Sequence, residues 1–153
     1  MLVSEPAGTR REQALRGGAN RAIDPTQEDL EKVIHEESGG EGADVIIVAA
    51  PVHAAQEQAI RLAGIGGRIN FFGGLPKDKP LIQMDANLVH YKELSVTGTT
   101  ACSNADCRKA AGIVSSGRID LSSIVSRRFP LAQAVEGFAA AEDRTALKIV
   151  LEP

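Results

Sequence analysis

Short β-branched runs alternating with amphipathic stretches of helical length predict an α/β chain on a doubly wound parallel sheet. Three observations carry this reading. The run Ala43–Ala50 is apolar after Asp44 without alternation, the pattern of a strand buried on both faces. Successive strand candidates are separated by helix-sized segments, and a crossover of about a dozen residues makes its flanking strands parallel. Gly-Gly and Xaa-Pro pairs punctuate these segments and separate one element from the next.

The elements follow in order. Leu2-Val3-Ser4 is a short strand that stops at Glu5, because Pro6 disfavours a helical conformation there. Thr9 with Glu12 forms a capping-box pattern for a helix that ends at Gly17-Gly18. Arg21-Ala22-Ile23 is a second short strand, closed by Asp24-Pro25. Thr26 to Asp29 opens a helix with Leu30, Val33 and Ile34 on one face and Gly39-Gly40 at its end. After the run at 43–50, residues 54–63 have helical periodicity, and Gly66-Gly67 leads into the strand Arg68–Phe72. Leu81–Met84 is expected as a short edge strand, and Leu94–Thr99 as another strand. Residues 103–115 are helical, with Asp106 early and Gly117 late. A strand at Ile124–Phe129, a helix from Leu131 to about Ala141 and a strand at Leu147–Leu151 complete the chain.

Composition bounds the function. The 153 residues suit one domain; 43% apolar and 24% charged residues are near globular averages. A net charge of −3 gives no reason to expect nucleic acid or an anionic membrane. No apolar run approaches the roughly 20 residues needed to span a bilayer, and the N-terminus does not read as a secretory signal. Two cysteines, Cys102 and Cys107, make no disulfide framework. A soluble, reducing, cytoplasmic setting is the expectation.

On a doubly wound sheet, ligands bind beyond the carboxyl ends of the strands. That rule singles out Glu5, residues 50–53, residues 72–74 and residues 99–101. Here the segments LVSEPAGTRREQALRGGANRAIDP, GGEGADVIIVAAP, GGRINFFGGLP, NLVHYKELSVTGTT and RFPLAQAVEGFAAAEDRTALKIVLEP occur in the order and spacing of a known family. The chain resembles the medium-chain dehydrogenase/reductase superfamily, in particular its zinc-dependent alcohol and sorbitol (polyol) dehydrogenase branch. The resemblance covers nearly the whole chain. It implies the later part of a Rossmann cofactor domain.

The resemblance also implies roles. Glu5 falls where the family places the acidic residue that accepts hydrogen bonds from the adenosine ribose and repels a 2′-phosphate, favouring NAD over NADP. Arg10 matches a basic residue near that ribose, although Arg10 and Arg11 together leave room for NADP. Ala50 and Val52 lie just past the strongest strand. Phe72, Gly73 and Gly74 match a turn where backbone approaches the nicotinamide, and Thr99 and Thr100 match the segment contacting the carboxamide. Lys148 falls near a basic residue that reaches the pyrophosphate in part of the family. Taken alone, these are a solvated glutamate, surface cations and glycines that end a strand.

Other features carry no chemistry at this level. The glycines at 64–67 precede a strand, whereas a phosphate loop follows one and opens a helix. Cys102 and Cys107 have no second metal-ligand pair, and His35, His53 and His90 are scattered; no residue is assigned a catalytic or metal-binding role. The family's metal-binding domain, first strand and glycine-turn helix would all precede residue 1. Without that strand, Leu2–Ser4 is expected to dock directly on the 43–50 strand, or another chain to fill the slot, or the fold to be weakly stable. Residues 102–153 would pack on the preceding catalytic domain, leaving Ile124, Phe129, Leu131 and Phe138 exposed.

The reading is therefore part of a zinc-dependent, NAD-linked alcohol or polyol dehydrogenase whose isolated chain binds NAD weakly or not at all and turns over no alcohol. The competing readings are a quinone-reductase-type member of the superfamily and a non-catalytic module that forms a homodimer through Leu81–Met84.

Overall fold

The computed structural model describes residues 1–142 and 146–153. In chain order its elements are β1 (Leu2–Ser4), α1 (Gly8–Arg16), β2 (Arg21–Ile23), α2 (Leu30–Glu37), β3 (Ala43–Val48), α3 (His53–Leu62), β4 (Ala63–Phe71), α4 (Ala86–Tyr91), β5 (Ser95–Gly98), α5 (Asn104–Ser115), β6 (Val125–Pro130), α6 (Ala134–Glu142) and β7 (Lys148–Glu152). Single 3-10 turns precede β6 and α6. The mixed α/β character and parallel pairing follow the sequence reading. The strands form three separate parallel sheets, β1-β2, β3-β4-β5 and β6-β7. Direct docking of Leu2–Ser4 on the 43–50 strand is therefore not what the chain does, since β1 pairs with β2 alone among the described residues.

The chain divides into two compact units, one of residues 29–101 and the other of residues 1–28 with 102–153. In the first, Asp29 caps α2 by accepting from the amides of Glu31 and Lys32. Val48, Ala59, Ile60, Ala63, Ile69 and Leu94 form a buried cluster where α3 lies on the sheet. Burial of the 43–50 run on both faces does not hold within this chain. Val48 is buried, but Val45 is 50% and Ile47 66% exposed, because these alternate residues point to the face away from the cluster.

β4 starts earlier than expected, and glycines 64–67 are built into it. Ala43 pairs with Ala63, but Val45 pairs with Arg68, so four residues of β4 bulge outward. Glycine is required there: a Cβ on Gly42 would lie 2.7 Å from the Gly64 nitrogen, and one on Gly67 2.8 Å from the Gly64 oxygen.

Leu81–Met84 is not a strand. The Gln83 amide donates to the Glu57 carboxylate at 2.9 Å rather than to a strand partner, and Leu81 lies 84% exposed.

In the other unit, α1 begins at Gly8 after Ala7, and the Thr9–Glu12 capping box does not form. Glu5 takes that role instead: its Oε1 accepts the Ala7 amide at 2.9 Å. The C-terminal β6–α6–β7 element closes over Phe129, which is buried rather than exposed. Gly137 lets α6 sit against it, since a Cβ there would meet the Leu151 side chain at 2.7 Å and the Phe129 ring at 3.5 Å. Ile124, Leu131 and Phe138 are exposed as expected.

Candidate functional site

Strand register decides what gathers at the carboxyl ends. Val48 pairs with Phe71 and Phe71 with Gly98, so β3, β4 and β5 finish level. Ala50, Val52, Phe72, Gly73, Gly74, Thr99 and Thr100 therefore leave one edge of one sheet. The amides of Phe72 and Gly73 both donate to the Val48 carbonyl, at 3.0 and 2.8 Å, which folds the chain after β4 against the end of β3. Only glycine fits at the second of these positions. A Cβ on Gly73 would lie 2.6 Å from the Ala49 carbonyl oxygen, whereas Gly74 has open space around it. Phe72 and Val52 are exposed at this edge.

Two side chains that the sequence reading did not single out organise the edge. Gln56 of α3 is buried, and its amide donates to the Gly73 carbonyl at 2.9 Å. Asn70 donates to the hydroxyls of Thr97 and Thr99, at 3.2 and 2.8 Å. The signal for Asn70 was present as a polar residue inside an apolar strand, with threonines spaced two apart in β5 and just past its end, hence on one side of the chain. Gln56 gave no such signal, because a glutamine in a helix is ordinarily solvated.

In the other unit, β1 and β2 also finish level, with Ser4 opposite Ile23, so Glu5 and Asp24 emerge together. Arg10 approaches Glu5 Oε2 at 3.9 Å and is 41% exposed. Arg11 is differently employed. Its guanidinium donates to the carbonyls of Glu5 and Pro6 at 2.8 and 2.7 Å and pairs with Asp24 at 2.9 Å. The Asp24 carboxyl is held below its ordinary value by hydrogen bonds from the Thr26 hydroxyl and amide, with the Arg11 charge adding to them. Glu28 is lowered first by the Asp24 amide and then by Arg21. Of the two arginines at this end, Arg11 is committed to holding the loop and Arg10 is the one left facing Glu5. Lys148 begins β7 opposite Val125 and is exposed.

Among the described residues no group of three or more His, Cys, Asp or Glu is placed to hold a metal ion. These residues do not fit the zinc expected of the family, so no step through zinc is assigned to them.

Parallel strands followed by helices, ending level with a glycine turn and threonines at their carboxyl edge, define a Rossmann-like cofactor-domain architecture. A model of the zinc-binding dehydrogenase family matches residues 2–116, and the chain belongs to that family. It is 33% identical over 155 residues to an L-threonine 3-dehydrogenase of Caldanaerobacter subterraneus subsp. tengcongensis, covering 100% of this chain and 44% of that protein. It is 32% identical to a 2-dehydro-3-deoxy-L-galactonate 5-dehydrogenase of Pseudoalteromonas atlantica, covering 91% and 40%. The chain thus spans less than half the length of these curated relatives. A zinc-binding dehydrogenase-type structure from Sinorhizobium meliloti 1021, bound to NADP, superposes with a TM-score of 0.89 at 27% identity over 99% of this chain and 44% of that one. An alcohol dehydrogenase from Thermotoga maritima has the same fold, with a TM-score of 0.90 at 24% identity over 99% of this chain and 42% of that one.

Proposed function

We propose that this chain is the cofactor-binding part of an oxidoreductase that moves hydride between a secondary alcohol and a nicotinamide dinucleotide, with NAD preferred over NADP. The nicotinamide, when bound, supplies the hydride acceptor. The observation that carries the reading is Glu5, a partly exposed carboxylate at the end of β1 beside Arg10. A carboxylate there accepts hydrogen bonds from the ribose hydroxyls and repels a 2′-phosphate. Arg11 supports the same choice, because its guanidinium is already spent on the loop. The NADP in the Sinorhizobium relative marks the alternative, in which Arg10 takes the phosphate. Gly73 and Gly74 would allow the nicotinamide close to backbone, while Thr99 and Thr100 orient its carboxamide. Lys148 is proposed as a charge for the pyrophosphate.

The substrate class is a small alcohol, with polyols favoured by the HYKEL segment. A homodimer through Leu81–Met84 would rest on the exposed side chains of Leu81 and Met84, since no strand edge is present there.

Within these 153 residues no G-x-G-x-x-G turn opens a helix, so the isolated chain lacks that anchor for the pyrophosphate. The chain by itself should bind NADH weakly, more weakly than micromolar, and oxidise no alcohol. Saturation-transfer NMR with NADH and NADPH tests this directly. NADH should give the stronger response, and Glu5→Gln, which keeps an acceptor for the Ala7 amide, should abolish that preference. Equal responses in the unsubstituted chain would defeat the assignment of Glu5, and micromolar affinity would defeat the weak-binding claim.

A further inference from the structure

We propose that Cys102 and Cys107 are a reversible modification site, a dithiol that a low-molecular-weight disulfide converts to an intramolecular disulfide at the head of α5. The two sulfurs lie 3.3 Å apart and both residues are exposed, so a small disulfide can reach either one. A disulfide needs about 2.05 Å, so closure asks for movement of only about 1.3 Å.

The approach is built into the turn between them. Ser103 caps α5, its hydroxyl accepting the Asp106 amide at 3.2 Å, while the Ser103 amide donates to Asp106 Oδ2 at 3.0 Å. This reciprocal box fixes the backbone path from Cys102 to Cys107 and holds the thiols on the same side of it. Sequence spacing did not reveal the pair, because five residues apart in an extended or fully helical segment would separate them.

The exchange balances in two steps. One cysteine thiolate attacks a sulfur of the small disulfide, forming a mixed disulfide and releasing one small thiolate. The second cysteine thiolate attacks the protein sulfur of that mixed disulfide and expels the other small thiolate. Two protein thiols are oxidised, one external disulfide is reduced to two thiols, and the two protons pass to the released thiolates. Excess reduced thiol reverses both steps.

Oxidised glutathione is the probe, with the 153-residue chain, acid quenching and intact-mass analysis followed by non-reducing peptide mapping. The expected product is a monomer lighter by about 2 Da with Cys102 linked to Cys107, both thiols being lost together. Because the second step is intramolecular, the glutathione adduct in the unsubstituted chain should stay below about one-tenth of that in either Cys102→Ser or Cys107→Ser. Adduct accumulating equally in all three proteins would overturn the proposal, as would oxidation appearing only as disulfide-linked dimers. The unsubstituted chain alone decides the cross-link, so the outcome does not depend on either variant folding.

Discussion

Replacing Gly73 by alanine tests the close approach on which the carboxyl edge of the β3-β4-β5 sheet depends. The added Cβ would lie 2.6 Å from the Ala49 oxygen, 2.8 Å from the Ala49 carbonyl carbon and 2.9 Å from the Ala50 carbonyl carbon. All three are backbone atoms, so no side chain can swing away to make room. Relief requires the chain to lift off β3, which stretches the 2.8 Å bond from the Gly73 amide to Val48 and the 2.9 Å bond from Gln56. Gln56 is only 5% exposed, so a lost partner leaves a buried amide unsatisfied. Overpacking and the orphaned amide together cost about 2–5 kcal/mol. For a chain of this length that is a fall in melting temperature of about 5–15 °C. Gly74→Ala is the control, because open space surrounds that position; its effect should stay within about 0.5 kcal/mol. Thermal melts followed by far-UV circular dichroism give both values. If Gly73→Ala melts with the parent chain, or if the two variants are equally destabilised, the close approach is not what shapes this edge.

Further consequences can be measured on the same protein. Asp24 and Glu28 sit below their ordinary values of 3.8 and 4.5, so the folded state takes up their protons less readily than the unfolded chain. Their stabilisation is fully present above about pH 5 and drains as pH falls through the unfolded values towards the lower folded ones. Asp24→Asn should flatten that acid limb in equilibrium unfolding and leave the slope between neutral and alkaline pH unchanged; an unaltered acid limb would count against the Arg11–Asp24–Thr26 arrangement. Ser103→Ala removes the cap of α5 at a cost of about 1 kcal/mol, seen as roughly five-fold faster amide exchange in its first turn. Unchanged exchange there would show that the capping box does not hold the helix start.

The sequence was most legible where a single residue type has one physical use. Asp24-Pro25, Gly39-Gly40 and the β-branched run at 43–50 placed their boundaries within a residue or two. Misreadings arose where two local signals competed. Thr9 and Glu12 match a capping box, yet Glu5 reaches the Ala7 amide first and α1 starts before Thr9. Leu81–Met84 is apolar enough for a strand, but a strand exists only beside a partner, and the Gln83 amide finds Glu57 instead. Phe129 was expected at the surface because nothing in its neighbourhood reveals that Gly137, eight residues on, lets α6 close over it.

Chain order and residue type by themselves determined the α/β class, the parallel pairing and the placing of Glu5 at a strand end. They could do so because these depend on local periodicity and on the length of chain between strands. The level finish of β3, β4 and β5, the division of work between Arg10 and Arg11, and the meeting of Cys102 with Cys107 were decided by tertiary structure. Each depends on hydrogen-bond register or on a folded turn, which bring together atoms whose separation along the chain carries no record of their distance in space.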